Sequence, residues 1–312
     1  MPWPAAFFSP HIVKDDWHFG MDATRNQRTI AGAAAVEGMG YWSGRDVRVE
    51  FRPAEAHSGI SFVRGDLPGC PRIPATIANR VDTPLRTVLR SGEHSVEMVE
   101  HIMAALAGMQ IDNCEVWTDQ PEMPGCDGSC LPFVEALQEA GTIEQRGARP
   151  IRILRECVRV GNEESWIEAR PGPPGKTILQ YELDYGAGSP IGRQSLEILL
   201  NPRYFRFNLA PSRTFLLERE AAAIQDQGLG LRATFQDLLV FAADGPINNR
   251  LRFPDECVRH KITDMIGDLA LAGCDLIGRF VAYRSGHRLN ADLVQQVMAQ
   301  DHSEPRVWRR CA

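Results

Sequence analysis

His260, Asp264 and Asp268 recur at a four-residue interval within RHKITDMIGD. On a helix, residues so spaced lie in one stripe, each about a turn from the next. A histidine and an aspartate one turn apart can reach the same metal ion, and imidazole nitrogen and carboxylate oxygen are ordinary zinc ligands at about 2.0–2.2 Å. One further nitrogen would give three protein ligands and leave a fourth position for water, the arrangement of a catalytic rather than a structural zinc site. The same spacing also suits a solvated helix face. The apolar residues around the stripe, Ile262, Met265, Ile266, Leu269 and Leu271, require part of the helix to be buried. A buried carboxylate without a partner is costly, and a metal ion would be such a partner.

Two other segments carry reactive side chains. Glu100 and His101 are adjacent in VEHIMAALAG, and adjacent residues on a helix point about 100° apart. If His101 binds a metal, Glu100 addresses the metal-bound water from the side, where a glutamate is a natural general base. Read alone, the pair is an exposed acid beside a core histidine. His287 stands in SGHRLN between Gly286 and Asn290. That context reads as a loop, on which a histidine can be a positioned acid.

The elements that must hold these residues follow from periodicity. Residues 29–36 read as a strand leading into the glycine-rich GMGYWSG. DVRVEF at 46–51 alternates apolar and polar residues and reads as a half-buried strand that Pro53 stops, with a further strand at 59–63. A helix fits 99–106 with Gly108 just beyond as a stop signal, a short strand 113–118, a turn-rich loop 121–128 and a second helix 131–140. The polar stretch 141–150, bearing Gly and Pro, is the best linker candidate. Beyond it the order repeats. Strands fall near 151–160, 165–169, 176–183 and 195–200, a helix at 215–227 and a strand at 239–243. A longer helix follows at 254–272, then a strand at 278–283 and a closing helix at 290–299. Each half runs strands first, then helices, which is an α+β pattern. The expected division is a lead-in at 1–24, a first α+β domain at 25–145 and a second at 146–312.

Bulk properties narrow the function further. The chain has 312 residues, 44% hydrophobic and 24% charged, enough apolar material for a core without disulfides. The net charge of −6 and the absence of a basic tract argue against nucleic acid as a partner. No export signal and no run of 18 apolar residues is read in the sequence, so a cytoplasmic protein is expected, working on any lipid from the water side. The eight cysteines are scattered without a CxxC pair and read as reduced and structural. Cys126 and Cys130, four apart in a glycine-rich stretch, are a lesser metal candidate.

Taken together, VEHIMAALAG, IDNCEVWTDQPEMPGCDGS with LPFVEAL, PSRTF, and LRFPDECVRHKITDMIGDLALAG with GRFVAYRSGHRLN resemble the UDP-3-O-acyl-N-acetylglucosamine deacetylase family, whose zinc enzyme makes the committed step of lipid A synthesis. The likeness runs in order from about residue 25 to residue 297. It implies His101, His260 and Asp264 as zinc ligands, Glu100 as the general base, and His287 as a protonated histidine that stabilises the oxyanion or protonates the leaving amine. It implies Asp268 as the carboxylate that keeps that histidine charged, Thr214 as a hydroxyl donor to the oxyanion and Phe215 as a substrate-contacting aromatic. Lys261 would lie in the substrate site, and Arg284 would meet the UDP phosphates. The implied fold is two similar α+β domains, each a mainly antiparallel sheet with helices, the helices sandwiched between the sheets. The implied partner is an acylated UDP-amino sugar, bound by a monomer that holds one zinc ion per chain; iron(II) also suits a His₂Asp set. An insert at about 215–240 would form an acyl-chain passage, with Ala221, Ala222, Ala223, Ile224, Leu229, Leu231, Leu238 and Leu239 as its lining or as ordinary helix core.

The chain departs from the family pattern at Trp42, where the glycine motif usually carries histidine, at Met98, where threonine is preferred, and in LDYGAGSPIG, which lacks a His-Pro pair. Tryptophan can neither bind a metal nor shuttle protons. A related zinc deacetylase for another acylated or nucleotide-linked amino sugar is therefore a second reading, and a non-catalytic nucleotide-sugar-binding protein a third.

Overall fold

The computed structural model describes residues 25–300; the expected lead-in at 1–24 and Cys311 lie outside them. In chain order the strands are β1 (Asn26–Ile30), β2 (Ala34–Met39), β3 (Asp46–Pro53), β4 (Ile60–Arg64), β5 (Arg72–Pro74), β6 (Arg80–Val81), β7 (Val88–Ser91) and β8 (His94–Glu97). Helix α1 (Glu100–Gly108), β9 (Cys114–Thr118), α2 (Leu131–Ala140), β10 (Thr142–Ala148), β11 (Ile151–Ile153), β12 (Val158–Gly161) and β13 (Trp166–Arg170) follow. Then come β14 (Thr177–Asp184), β15 (Arg193–Leu199), the single turn α3 (Pro202–Tyr204), β16 (Phe215–Leu217), α4 (Glu218–Gln225), β17 (Leu239–Ala242) and β18 (Gly245–Pro246). The last elements are α5 (Glu256–Leu269), β19 (Asp275–Tyr283) and α6 (His287–Ala299).

Two sheets share one plan. The first runs β2-β3-β9-β4-β5 and the second β12-β13-β19-β14-β15, with β11 added alongside β19. In each, the last strand inserts centrally, pairing antiparallel on one side and parallel on the other. Alternation produces their inner faces: Val47, Val49 and Phe51 of β3 are buried, as are Leu179, Tyr181 and Leu183 of β14.

The helices lie between these sheets. Helix α2 rests on β2, α5 on β14 and β15, and α6 on β12 and β13, while α1 packs against both α2 and α5. Ile102, Met103, Ala104 and Ala105 of α1 share one buried core with Ile262, Met265 and Ile266 of α5, each large side chain contributing about 1.5–3 kcal/mol by leaving water. The two backbones touch at Gly267, where an added Cβ would sit 2.1 Å from the Glu100 carbonyl oxygen. The expected α+β class with mainly antiparallel sheets and a helical layer is what the chain adopts.

Several local expectations are corrected. The stretch 141–150 is no linker: β10 pairs antiparallel with β1. Residues 215–227 are not one helix, because β16 pairs with β17 before α4 begins. The strand expected at 151–160 is two, β11 and β12, and the helix expected to 272 ends at Leu269 and tightens into a 3-10 turn, Ala270–Ala272. Gly108 lies inside α1 rather than beyond it. It is small because a Cβ would meet the Phe205 ring at 2.3 Å. Helix α6 begins at His287, three residues earlier than expected, so His287 is not a loop residue.

Candidate metal centre and active site

Helices α1 and α5 cross at the site. His101 is the second residue of α1, and His260 and Asp264 stand one turn apart on α5. One donor atom from each lies within 4.8 Å of the others, and all three residues are buried. Asp264 Oδ1 is 3.3 Å from His260 Nε2 and 3.6 Å from His101 Nε2. Neighbouring ligands around a tetrahedral ion bound at about 2.1 Å are about 3.4 Å apart, so the donor set fits a divalent ion. The other groups of these residues are already engaged. The His260 Nδ1–H donates to the Ser212 carbonyl at 3.2 Å, which leaves Nε2 with its lone pair free. The second oxygen of Asp264 takes the Lys261 ammonium at 2.7 Å.

The electrostatics hold the ligand forms. Burial pushes the His260 pKa down to about 3, so the ring is neutral. Burial opposes the Asp264 charge, but His260 and Lys261 outweigh it and keep the carboxyl well below the usual range. Lys261 is held charged in the same way, with Asp264 overcoming its desolvation.

Beside this set stand the remaining titratable groups. Glu100 is the first residue of α1; its Oε2 accepts the Thr87 N–H at 2.9 Å and its Oε1 lies 3.9 Å from His287 Nε2. Burial raises the Glu100 pKa, with His287 pulling the other way. His287 Nδ1 donates to Asp268 Oδ2 at 2.8 Å. Burial opposes its charge, but Asp268 and Glu100 prevail and raise its pKa to about 9. His260, Asp264 and Asp268 do share one face of α5, as their spacing requires, but Asp268 serves His287 rather than the ligand set.

A cavity of about 1450 Å³ opens onto these residues. Thr214 and Phe215 line it. They follow Arg213, whose buried guanidinium is tied to Glu256 at 2.8 Å at the start of α5, and the Thr214 N–H donates to the Gly128 carbonyl at 2.7 Å. The Phe215 ring stands edge-on to His260, centroids 6.3 Å apart. Ala221, Ala222, Ala223, Ile224 and Leu238 line the cavity, as the sequence suggested. Leu239 instead lies in the core, Leu231 is 68% exposed, and Leu229 is not among the lining residues. Arg284 is exposed and is not in the wall; Arg288, passed over in the sequence, is. Trp42 lines the cavity with the Arg86 guanidinium 4.7 Å from its ring centroid. Cys126 and Cys130 stay out of the ligand set, and burial pushes both thiols up, that of Cys126 to about 12.

Sequence reading missed Thr87, which contacts both Glu100 and Asp268, and Asn290 as a second donor to Asp268 at 2.8 Å. Asn290 had a signal, one helical turn from His287; Thr87 had none.

Fold and site together suit a metal-assisted hydrolase. The family model for UDP-3-O-acyl N-acetylglycosamine deacetylase matches residues 27–299, and the chain belongs to that family. It is 40% identical over 274 residues to the UDP-3-O-acyl-N-acetylglucosamine deacetylase of Thermosynechococcus vestitus, covering 88% of this chain and 94% of that protein. It is 40% identical over 275 residues to that of an Anaeromyxobacter species, covering 88% and 89%. With that of Myxococcus xanthus it shares 38% over 275 residues, covering 88% and 87%.

Proposed function

We propose that the protein hydrolyses the acetamide of a UDP-3-O-(3-hydroxyacyl)-N-acetylglucosamine, releasing acetate and the free amine, with one zinc ion held by His101, His260 and Asp264. The observation that carries this reading is the convergence of those three donors next to Glu100 and His287 at one end of a largely apolar cavity. The family membership and the names of the relatives supply the substrate class.

A divalent ion bound there supplies Lewis acidity toward the acetyl carbonyl and lowers the pKa of a coordinated water. Glu100 Oε1, the oxygen not taken by Thr87, accepts a proton from the attacking water. His287, charged at neutral pH, faces the developing oxyanion and donates its Nε2 proton to the amine as the C–N bond breaks. The Thr214 hydroxyl, in the wall of the same cavity, adds a neutral donor, and Phe215, edge-on to His260, contacts the sugar end. Lys261 keeps the second oxygen of Asp264 occupied, so that a single oxygen is presented to the ion. The apolar residues of α4, with Leu238 and Val240, suit an acyl chain, and the exposed Arg288 in the cavity wall suits the diphosphate.

The test is acetate release from that substrate by purified protein of measured metal content. Metal-loaded protein that releases no acetate rejects the reading. Elemental analysis of protein purified without added metal decides between zinc and iron(II). The reading extends to a cytoplasmic monomer, which light scattering and fractionation check. Among the described residues no helix is long and apolar enough to cross a membrane.

Trp42 in the cavity wall favours one alternative, a related deacetylase acting on a different acylated or nucleotide-linked amino sugar. A higher kcat/KM on a substrate lacking the acyl chain would select it.

A further inference from the structure

Glu100 and Asp268 sit on different helices, and one buried residue outside both is bonded to each. Thr87, 2% exposed, immediately precedes β7. Strand β7 pairs with β8, Val88 opposite Glu97, and β8 leads into α1 through Met98, a non-glycine residue in the left-handed region with φ 58°. Thr87 spans that turn. Its N–H donates to Glu100 Oε2 at 2.9 Å, and its carbonyl accepts the Val99 N–H at 3.4 Å. Both main-chain groups are thereby committed to the start of α1. Its hydroxyl remains, and donates to Asp268 Oδ1 at 2.6 Å across to α5.

The bonding of the two carboxylates is then asymmetric in a useful way. Asp268 Oδ2 accepts from His287 Nδ1 and Asn290 Nδ2, each at 2.8 Å, while Oδ1 has the Thr87 hydroxyl. Glu100 Oε2 has the Thr87 N–H, and Oε1 faces His287 Nε2. Two buried carboxylates tied to the same residue repel one another. Donors fixed between them hold both in place and decide which oxygen of each is presented.

We propose that Thr87 is a positioning residue for the hydrolysis, one that fixes the Glu100 and Asp268 carboxylates relative to each other so that Oε1 is directed at the attacking water and Oδ2 at His287. The proposal rests on the deacetylase reading for its reaction, but not for its geometry. Without the hydroxyl, Oδ1 becomes a buried carboxylate oxygen lacking a donor, and Asp268 can recover one only by turning away from His287.

The experiment compares Thr87→Val, Thr87→Ala and Thr87→Ser with the parent, each assayed below its own Tm on UDP-3-O-(3-hydroxyacyl)-N-acetylglucosamine. The downfield proton resonance of His287 Nδ1–H, assigned by its loss in His287→Ala, is recorded in parallel. The Val and Ala variants are expected to lose about 10–100-fold in kcat, the usual cost of removing a supporting partner, with KM changed by less than about threefold. The His287 resonance should shift or broaden, and Ser should restore both. If Val does not fold, Ala decides on the same readouts. A lowered Tm with kcat and the resonance unchanged makes Thr87 a structural tie only and overturns the proposal. Should the parent release no acetate, the deacetylase reading fails on its own. The resonance then still decides for Thr87: a shift reversed by Ser upholds the positioning of His287 through Asp268, and no shift overturns it.

Discussion

Glu100 Oε1 and His287 Nε2 face each other across 3.9 Å, one from the first residue of α1 and the other from the first residue of α6. Their surroundings treat them differently. Burial raises the Glu100 pKa, while His287, desolvated too, is raised to about 9 by Asp268 and Glu100. A base and an acid so placed coexist in their working forms between the Glu100 transition and about pH 9. The pH profile of kcat/KM should be a bell, its acid limb set by a Glu100 carboxyl that burial shifts upward and its basic limb near 9. The two limbs belong to the pair rather than to either residue alone. Asp268→Asn should move the basic limb downward and lower kcat by about 10²–10³, the scale of losing a charged donor to an oxyanion. The sign for stability is the same. A histidine whose pKa rises from 6.5 to about 9 on folding stabilises fully below its unfolded value and loses that contribution as pH climbs through 9. Urea titrations from pH 6 to pH 10 should show this loss in the parent and not in His287→Ala.

The ligand set and the base should separate by metal content. Asp264→Ala should leave the protein without its ion and inactive. It should also destabilise it by about 1–3 kcal/mol, because the half-buried Lys261 ammonium loses its partner at 2.7 Å. Glu100→Gln should keep the metal and lose about 10²–10⁴ in kcat. Elemental analysis beside acetate release checks both, and a Glu100→Gln protein that had lost its metal would contradict the assignment of Glu100 as base rather than ligand.

How much of this was legible in the sequence depended on whether a residue's reason lay in its own neighbourhood. β3 and β14 alternate because each has one buried face, and the His260–Asp264 stripe shows the helical period directly. β10 does not alternate in hydrophobicity: TIEQRGA is exposed or half-buried throughout and becomes a strand through β1, more than a hundred residues upstream. β16 is three apolar residues that merge into the helical pattern of α4, and only its pairing with β17 marks it as a strand. His287 starts α6 without a capping side chain at Gly286, so the usual start signal is missing. Thr87 is an ordinary residue of a strand-forming stretch, and its partners stand 13 and 181 positions away.

Gly267 exemplifies a constraint that sequence showed only as a letter. It lies inside α5, where glycine costs about 1 kcal/mol relative to alanine, so Gly267→Ala should stabilise an isolated helix. Here the added Cβ would meet the Glu100 carbonyl oxygen at 2.1 Å and its carbonyl carbon at 2.9 Å, both backbone atoms. The helices must separate. The expected outcome is a loss of about 1–3 kcal/mol by overpacking. A fall in kcat should exceed any change in KM, because Glu100 and His101 move away from α5 together. Thermal unfolding with steady-state kinetics below the Tm checks it. A variant as stable and active as the parent would show that the α1–α5 contact is looser than described.

The walls of the large cavity allow a test of what fills it. Ala221 lies on α4 and lines the cavity without belonging to the buried core. Ala221→Trp places an indole in the space assigned to the acyl chain, tens of residues in sequence from any proposed ligand. If an acyl chain runs there, KM for a long-chain substrate should rise by about 10–100-fold, since displacing one or two methylenes from an apolar pocket is worth about 1–3 kcal/mol. kcat, and kcat/KM for a substrate with a short acyl group, should stay near the parent values. Competition with a fatty acid of matching length should weaken in step with the change in KM. An equal loss on long and short substrates would instead mean that the indole has disturbed β16 and Phe215, and the chain would have to take another course along the wall formed by Pro84 and Leu85.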